Sequence, residues 1–322
     1  MPLPILTEEE TLFQGLFLVG FDEKRQKKVR TKKNMSRFRS HYSSNPIVYA
    51  VLWSRLIVSL VDDIDAIVSS VGIDKAIAYF FMGIHFLACY PTEEEAEGVF
   101  AKSIGVCDKT WSTQAWKYAG LICSLKDEII TWPTSWNNPD NPLDSTSQTT
   151  FIVTVDGVHC SIAEPNLENF DKNKKFYSHK FHGPGLDYEV VMSIFEQRCV
   201  HINGPFPAGD PDISVFRNGL KQKMLDARIS SGIDHRGIAD KGYRGKALLL
   251  SVPSSQDTAA IREFKARALS RHETFNCRLN NFDCLDEKFR SGHSIEKHKQ
   301  CFEAVVVICQ LQLENGSPLF CV

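Results

Sequence analysis

Two short apolar runs in the second half of this chain each end in an aspartate that a glycine closely follows. The first run is Thr150-Phe-Ile-Val-Thr-Val-Asp156-Gly157 and the second is Gly237-Ile-Ala-Asp240-Lys-Gly242. Apolar runs of this length favour buried strands. Acids at the ends of neighbouring strands converge on one edge of a sheet, where glycine permits close approach of backbone or ligand. The pattern predicts a sheet with two carboxylates at one edge.

A third acid, Glu273, lies within a long amphipathic helical pattern that runs from about residue 256 to residue 285. Glu273 lies beside the apolar stripe of this helix rather than on it. The same helix carries five basic residues, which are Arg262, Lys265, Arg267, Arg271 and Arg278. A carboxylate among basic side chains suits a site that binds metal and phosphate together. Of these residues, Arg267, Arg271 and Arg278 are candidate DNA contacts.

Two carboxylates on strands and a third on a helix packed against the sheet can hold two divalent ions. Mg²⁺ and Mn²⁺ prefer oxygen ligands and complete their shells with water and phosphate. Two such ions about 3.5–4 Å apart cleave phosphodiester bonds in nucleases and polymerases. Taken singly, each acid is better explained as a turn or capping residue. Only the combination indicates a site.

The composition is that of a globular protein with room for about two domains. The chain has 322 residues, of which 43% are hydrophobic and 24% are charged. No apolar run approaches the roughly 20 residues of a membrane helix, and the N-terminus lacks the features of a signal peptide. We therefore expect an intracellular protein with no membrane partner. Its ten cysteines include no Cys-x-x-Cys pair, which favours reduced, mostly buried thiols.

Basic residues are concentrated near the N-terminus although the formal net charge is −2. Residues 24–39 contain nine Lys or Arg and no acid, and residues 1–45 are predicted to form a flexible basic arm. Such a block is either a solvated segment or a nuclear-localisation or phosphate-binding segment. In the second case its candidate DNA contacts are Lys27, Lys28, Arg30, Lys32 and Lys33.

Residues 46–130 are predicted to form a helical domain. Ile47–Val61 is apolar with helical spacing, and Asp74 is a candidate cap of the next helix. Thr92-Glu-Glu-Glu95 is a capping box that begins a short helix, Gly105 ends that helix, and Asp108 is predicted to cap a longer one.

A short helix, a glycine-containing turn and a longer helix form the outline of a helix-turn-helix. The start of its second helix is where groove-reading side chains belong. The candidates there are Lys109, Thr110, Ser112, Thr113 and Gln114. The alternative is an ordinary helical hairpin in a bundle.

Residues 131–149 are rich in Pro, Asn, Asp and Ser and are predicted to form a linker before a second domain at 150–322. Tyr188–Phe195 and Arg198–Ile202 are predicted to form a β-hairpin, and Ala247–Val252 a further strand. A final helix is predicted over Ile295–Leu313. The expected fold class is α+β or α/β, with a helical N-terminal domain followed by a mixed β-sheet flanked by helices.

The second half resembles the DDE transposases of the PIF/Harbinger group and the nuclease-like proteins domesticated from them. The matching segments follow the family's order across residues 150–315: Val155-Asp-Gly-Val-His159 with Glu164-Pro165, Phe176-Tyr-Ser-His-Lys180, Gly209-Asp-Pro-Asp212 with Val215-Phe216, Ala239-Asp-Lys-Gly-Tyr243, and Arg271-His-Glu-Thr-Phe-Asn-Cys-Arg-Leu-Asn-Asn-Phe282. Residues 74–125 resemble the helix-turn-helix that precedes the catalytic domain in this family. The chain departs from the family at Ala239-Asp-Lys-Gly-Tyr243, where Gly-Asp-Ser-Gly-Tyr is more usual, and in the detail of His179-Lys-Phe-His-Gly-Pro-Gly185.

The resemblance implies a ribonuclease-H-like fold in which Asp156, Asp240 and Glu273 are the catalytic triad and hold two Mg²⁺ (or Mn²⁺) ions. Asp212 matches a recurrent aspartate outside the triad and is expected to cap a helix or support the site. The implied activity is that of a transposase or endonuclease: water cleaves the phosphodiester at an element end, and the freed 3′-hydroxyl attacks target DNA.

The resemblance also implies partners and a location. The expected partner is double-stranded DNA, both the terminal inverted repeats of an element and its target, and the expected location is the nucleus. Family members often work with a separate Myb-like DNA-binding protein, so such a partner, or self-association into a homo-oligomer, belongs to the expectation. Two alternatives stay open: a domesticated DNA-binding or scaffold protein without cleavage activity, and a ribonuclease-H-like nuclease that acts on RNA.

Overall fold

A computed structural model describes residues 3–21, 30–134, 136, 149–164, 174–290 and 294–322 of the chain. The chain divides into two units. The first comprises Met1–Ile129, Leu279–Glu287 and Glu296–Ser317, and the second comprises Ile130–Arg278, Lys288–Ile295 and Pro318–Val322. Most of the predicted linker, residues 135 and 137–148, lies outside the described residues. The C-terminal helix belongs to the first unit, whereas the sequence placed all of 150–322 in one domain.

The first unit is helical. Its helices are α1 (Glu8–Leu18), α2 (Lys32–Tyr42), α3 (Pro46–Ser59), α4 (Val61–Val71), α5 (Ile73–Cys89), α6 (Glu93–Ile104), α7 (Asp108–Ser124) and α8 (Lys126–Ile129), and later in the chain α12 (Asp283–Asp286) and α13 (Ile295–Glu314). The predicted helices over 47–61 and 295–313 are confirmed as α3 and α13.

The prediction of a flexible arm over residues 1–45 is wrong for the part of that segment that the structure describes. Helix α1 begins with a capping box between Thr7 and Glu10. Helix α2 buries Phe38 and Tyr42 completely, and the Tyr42 hydroxyl donates to the carbonyl of Gly15 at 2.8 Å. Two aromatic residues four positions apart give this basic helix an apolar face, which the charge pattern concealed.

The core of the first unit is centred on α5, whose residues are buried from Ala76 to Ala88. Helix α7 crosses α5 closely at Gly83, because a Cβ at that position would lie 2.6 Å from Cβ of Tyr118. The Tyr118 hydroxyl donates to the carbonyl of Ala76 at 2.8 Å. Glycine is therefore required where these two helices touch.

One of the three predicted helix caps is confirmed, and the other two helices begin at a different residue. The capping box at Thr92 is confirmed: its hydroxyl accepts from the amide of Glu95 at 3.3 Å, and the Glu95 carboxylate accepts from the amide of Thr92 at 2.8 Å. Helix α5 instead begins after Gly72, whose φ is +83°, so Asp74 lies in the first turn. Helix α7 begins after Cys107, so Asp108 is its first residue rather than its cap.

A mixed sheet forms the centre of the second unit. Its strands are β1 (Thr149–Ser161), β2 (Tyr177–Ser178), β3 (Gly183–Ser193), β4 (Cys199–Pro207), β5 (Asp234–Ala239) and β6 (Leu250–Ser251). Strand β1 pairs with antiparallel β3 on one side and with parallel β5 on the other. Strands β2 and β4 pair antiparallel with β3, and β6 pairs parallel with β5.

Helices cover both faces of this sheet. Helices α9 (Asp212–Asn218) and α10 (Leu220–Ser231) bury Phe216, Leu220 and Met224 with Val155 and Val191. Helix α11 (Ala259–Leu279) packs Phe264 and Ala268 against other sheet residues, namely Phe151 and Ile238. The mixed sheet flanked by helices agrees with the expected class.

The predicted hairpin is confirmed as β3 and β4, and the apolar run before Asp240 belongs to β5. The strand predicted over 247–252 is confirmed in the two residues of β6. Strand β1 differs from the prediction because it continues past Asp156 to Ser161. Apolar residues still alternate there at Val158 and Cys160, and β3 pairs with this stretch as far as Ser161 and Gly185. Asp156 therefore lies inside a strand rather than at its end.

Among the described residues, no single helix has the length and apolar character needed to cross a membrane. Helices α4 and α5 meet that requirement only when taken together, and they are bent by 118° at their junction. Most of α5 is buried within the helical unit.

Replacing Gly83 with Ala is expected to lower the free energy of unfolding by about 1–3 kcal/mol, because the new methyl group overpacks against Tyr118. The matched control is Gly98→Ala, on the exposed side of α6, where a Cβ meets no atom within 4 Å. That change is expected to stabilise the protein by roughly 0.5–1 kcal/mol through helix propensity. Urea unfolding measures both, and equal effects of the two substitutions would contradict the close crossing.

The pH dependence of stability is expected to report on His85, which is buried on α5 beside Phe100 with ring centroids 5.2 Å apart. Burial and the neighbouring His41 lower the pKa of His85 to about 3. Below pH 6.5 the unfolded chain therefore binds a proton at this position that the folded chain excludes, and stability is lost as the pH falls.

Between pH 7 and pH 5, wild type is expected to lose up to about 2 kcal/mol of unfolding free energy relative to His85→Phe, since one pKa unit corresponds to about 1.4 kcal/mol. Urea unfolding followed by circular dichroism measures the difference. Replacing the exposed His179 provides the control. Parallel pH profiles of wild type and His85→Phe would refute this explanation.

Candidate active site

Asp156 and Asp240 follow matched positions on neighbouring parallel strands. Val155 of β1 is in register with Ala239 of β5, and each aspartate is the next residue. Asp240 lies directly after β5, as predicted, and its exposed carboxylate accepts from the amide of Gly242 at 2.7 Å. The register thus brings the two acids that the sequence selected to adjacent points of the sheet.

Helix α11 brings Glu273 to the same face of the sheet. Asn276 donates to Oδ2 of Asp156 at 2.9 Å, and Nδ1 of His272 is hydrogen-bonded to the hydroxyl of Thr154 at 2.8 Å. His272 and Asn276 are one turn apart and buried, whereas Glu273 between them is exposed. The amide and the imidazole hold the helix against β1 and leave the Glu273 carboxylate accessible.

The electrostatics of Asp156 connect the three acids. Burial, and then the nearby charge of Glu273, raise the pKa of Asp156 to about 7, and Asp240 and Asp212 act in the same direction. The amide of Gly157 opposes this shift. The half-buried Asp156 therefore lies in the negative field of three further acids, and a bound cation would favour its ionised form.

Asp212 lies beside the predicted triad, although it does not cap a helix. It is the first residue of α9, and the cap position belongs to Pro211, which makes no side-chain capping bond. A Cβ on Gly242 would collide with the Asp212 carboxylate and would lie 3.1 Å from Oδ1 of Asp240. Gly242 is thus the residue that lets Asp212 approach Asp240.

Two acids of this region were missed from the sequence: Asp187 and Glu189 of β3, which are 1% and 0% exposed. Burial and the charge of Asp212 raise the pKa of Asp187 to about 7, and burial and Asp187 raise the pKa of Glu189 to about 8. The missed signal is the stretch Leu186-Asp-Tyr-Glu-Val190, where acids alternate with apolar residues inside a strand.

The structure contains a group that could hold a metal ion. In the part of the chain that it describes, the ligand atoms of His159, Asp187 and Asp212 all lie within 4.8 Å of one another. The predicted set of Asp156, Asp240 and Glu273 is not such a group, although its members share one face. Of the four acids predicted from the sequence, only Asp212 belongs to the group, and His159 was noted only within the family motif.

The candidate groove-reading residues lie at the start of α7, after the turn at Gly105, whose φ is +64°. Lys109 and Thr113 are exposed, and the Thr113 hydroxyl donates to the carbonyl of Lys109 at 2.8 Å. The other candidates are half-buried: Thr110, Ser112 and Gln114. The two helices have the expected order, and their use as a helix-turn-helix remains a prediction.

The basic candidates near the N-terminus differ in their environments. Arg30 forms an ion pair with Glu8 at 3.1 Å. Lys32 and Lys33 are exposed in the first turn of α2 and remain available to phosphate. Lys27 and Lys28 lie outside the described residues.

The basic residues of α11 are engaged within the second unit. Arg271 is 2% exposed and donates to the carbonyls of Ser193 and Glu196 at 2.5 and 2.6 Å, so its prediction as a DNA contact is wrong. Arg267 donates to the carbonyl of Cys321 at 2.7 Å and Arg278 to that of Pro318 at 3.4 Å. Sequence reasoning placed these residues on a helix but could not tell which side the sheet would cover.

Replacing Arg271 with Met is expected to lower the free energy of unfolding by about 2–4 kcal/mol, because two charge-assisted hydrogen bonds to backbone carbonyls are lost. Arg262→Met is the control, because Arg262 is exposed on the same helix and makes one hydrogen bond, to the carbonyl of Asp257 at 3.1 Å. The control is expected to cost less than about 1 kcal/mol. Chemical denaturation measures both, and an Arg271→Met protein that is as stable as the control would contradict the structural role of these two hydrogen bonds.

Comparison with known proteins identifies no relative of this chain. No protein-family model, no curated protein and no solved structure matches it. The geometry of the site and the resemblance of its motifs are therefore the observations that bear on the function of the chain.

Proposed function

We propose that the chain is a metal-dependent DNA endonuclease of the DDE type, with transposition as its full reaction. The observation that carries this proposal is the convergence of Asp156, Asp240 and Glu273 on one sheet face. Register places the two aspartates side by side, and the helix that bears Glu273 is hydrogen-bonded to Asp156 itself. Three carboxylates from two strands and a helix are an arrangement suited to divalent metals.

The strand order supports the ribonuclease-H-like part of this proposal. Strands β4, β3 and β1 form an antiparallel set, and β5 and β6 continue the sheet parallel to β1. A ribonuclease-H-like sheet has this order and these directions. The first catalytic acid of such a fold is expected on the central strand, where Asp156 lies.

The residue types of the proposed triad suit the two Mg²⁺ (or Mn²⁺) ions that this chemistry requires. All three groups offer only carboxylate oxygens, and the half-buried Asp156 gains most from a bound cation because its surroundings disfavour the ionised form. When bound, such ions lower the pKa of water to generate a nucleophile and stabilise the leaving oxygen. Asn276 keeps the Asp156 carboxylate oriented, and Gly242 lets the Asp212 carboxylate lie beside Asp240.

Exposed basic side chains outside the site suit a nucleic-acid substrate. Lys32, Lys33 and Lys109 are all exposed. Lysines that contact phosphate position a duplex without reading its sequence. We propose double-stranded DNA as the substrate, and the nucleus as the place of action.

Replacing Asp240 with Asn is expected to abolish Mg²⁺-dependent cleavage and to leave duplex binding unchanged. The loss should exceed the roughly 10–100-fold that removal of an outer-shell partner causes at metal sites. The assay follows nicking of a plasmid that carries the genomic sequence flanking the gene, with Mg²⁺ and with EDTA. Asp226→Asn is the matched control, because Asp226 lies on α10 and binds only Gln222 in the described structure.

Unchanged cleavage by Asp240→Asn would remove the triad assignment. Duplex binding without any cleavage by wild type would favour the catalytically silent, domesticated DNA-binding protein. Competition with RNA of the same sequence tests the third alternative, since preference for RNA would make the chain a ribonuclease. Terminal inverted repeats and a short target-site duplication around the gene would favour a mobile element.

A further inference from the structure

The second unit carries another polar cluster on the sheet face opposite Asp156. His159 is in register with Asp187, and Gly157 with Glu189. Side chains alternate along a strand, so these residues share the face of Val155 and Val191, which pack against α9 and α10. Thr154 and Asp156 point to α11 instead. The side chains of His159 and Asp187 therefore lie on the face opposite Asp156, and the Asp212 carboxylate lies close to Asp187 and also to Asp240.

The geometry of the cluster suits a single ion. Nε2 of His159 lies 3.7 Å from Oδ1 of Asp187, and with the Asp212 carboxylate every pair of ligand atoms lies within 4.8 Å. A metal whose ligands are at roughly 2.0–2.2 Å can join two atoms up to about 4.4 Å apart. Side-chain shifts of less than about 1 Å would bring all three atoms to that distance.

Asp187 supplies an independent reason to expect a ligand. It is 1% exposed, and no side-chain donor in the described parts of the chain is hydrogen-bonded to either of its carboxylate oxygens. A buried carboxylate that no side chain hydrogen-bonds is costly. Its Oδ1 would lie 3.0 Å from a Cβ on Gly157, so the glycine maintains space next to this oxygen. The Nδ1 atom of His159 is also buried without a partner in the described structure.

We propose that His159, Asp187 and Asp212 bind one first-row transition-metal dication, separate from any ion held by Asp156, Asp240 and Glu273. An imidazole with two carboxylates suits Mn²⁺ or Zn²⁺, whereas Mg²⁺ prefers oxygen ligands and keeps much of its water. The ion would join β1, β3 and α9 and would compensate the buried charge of Asp187. This site does not depend on nuclease activity.

Mn²⁺ binding to the full-length chain tests the site when the proposed triad is disabled. In an Asp240→Asn/Glu273→Gln background, titration followed by electron paramagnetic resonance is expected to show one Mn²⁺ per chain. Adding Asp187→Asn should weaken this binding more than tenfold. Pulsed measurements should detect a ¹⁴N coupling that disappears in His159→Gln. Zn²⁺ should displace the ion, and a large excess of Mg²⁺ should not.

Asp187→Asn removes charge but little volume, and circular dichroism checks that the variant is folded. His179→Gln, at an exposed histidine outside the cluster, is the control and should leave binding and the ¹⁴N coupling unchanged. The proposal would be overturned if Mn²⁺ binding persists in both Asp187→Asn and His159→Gln. It would also be overturned if the Asp240→Asn/Glu273→Gln chain, without further substitutions, binds no Mn²⁺. If the wild-type chain does not cleave DNA, the endonuclease proposal fails. If Asp187→Asn nevertheless weakens Mn²⁺ binding, the metal site at His159, Asp187 and Asp212 stands.

Discussion

The pairing of β1 with a neighbour on each side is the constraint on which both candidate sites depend. Parallel pairing with β5 puts Asp156 beside Asp240, and antiparallel pairing with β3 puts His159 opposite Asp187. A slip of one residue in either register would turn every one of these side chains to the other face of the sheet. The apolar cores on the two faces oppose such a slip, because they require Val155 to face α9 and α10 and Phe151 to face α11. Phe151 and Val155 lie on opposite faces because the register of β1 shifts between Phe151 and Val153.

Accumulated negative charge is the second constraint, and it is also the most direct connection to function. Burial, and then the neighbouring carboxylates from five parts of the second unit, raise pKa values in this region, most clearly at Asp156, Asp187 and Glu189. A fold gains no stability from such repulsion, since each buried acid is costly to ionise. Bound cations would offset the repulsion between these acids, which gives a physical reason for their concentration at one end of the sheet. The arrangement agrees with proposals that place metal on both faces.

Local patterns in the sequence were sufficient to predict most elements. Apolar and β-rich runs predict β1, β3 and β4, and helical spacing predicts α3 and α11. The predictions failed where tertiary packing decides: α2 is a helix because Phe38 and Tyr42 find a core, and Arg271 is buried because α11 turns that side to the sheet. Asp187 and Glu189 were missed because an acid inside an apolar strand suggests an exposed position until the helix that covers it is known. The triad residues were found through their motifs, whereas the register that joins Asp156 to Asp240 is a property of the assembled sheet.

The discontinuous division of the chain has a practical consequence. Helix α13 is buried along nearly its whole length, from His298 to Leu313, yet it belongs to the helical unit, and the five residues that follow Ser317 return to the sheet unit. A fragment cut at the linker, residues 150–322, would contain this apolar helix without the N-terminal helices of its unit. Such a fragment would expose a continuous hydrophobic surface and aggregate. Experiments on this protein therefore belong with the intact chain, and tags are better placed at the N-terminus than next to the residues that Arg267 and Arg278 hold.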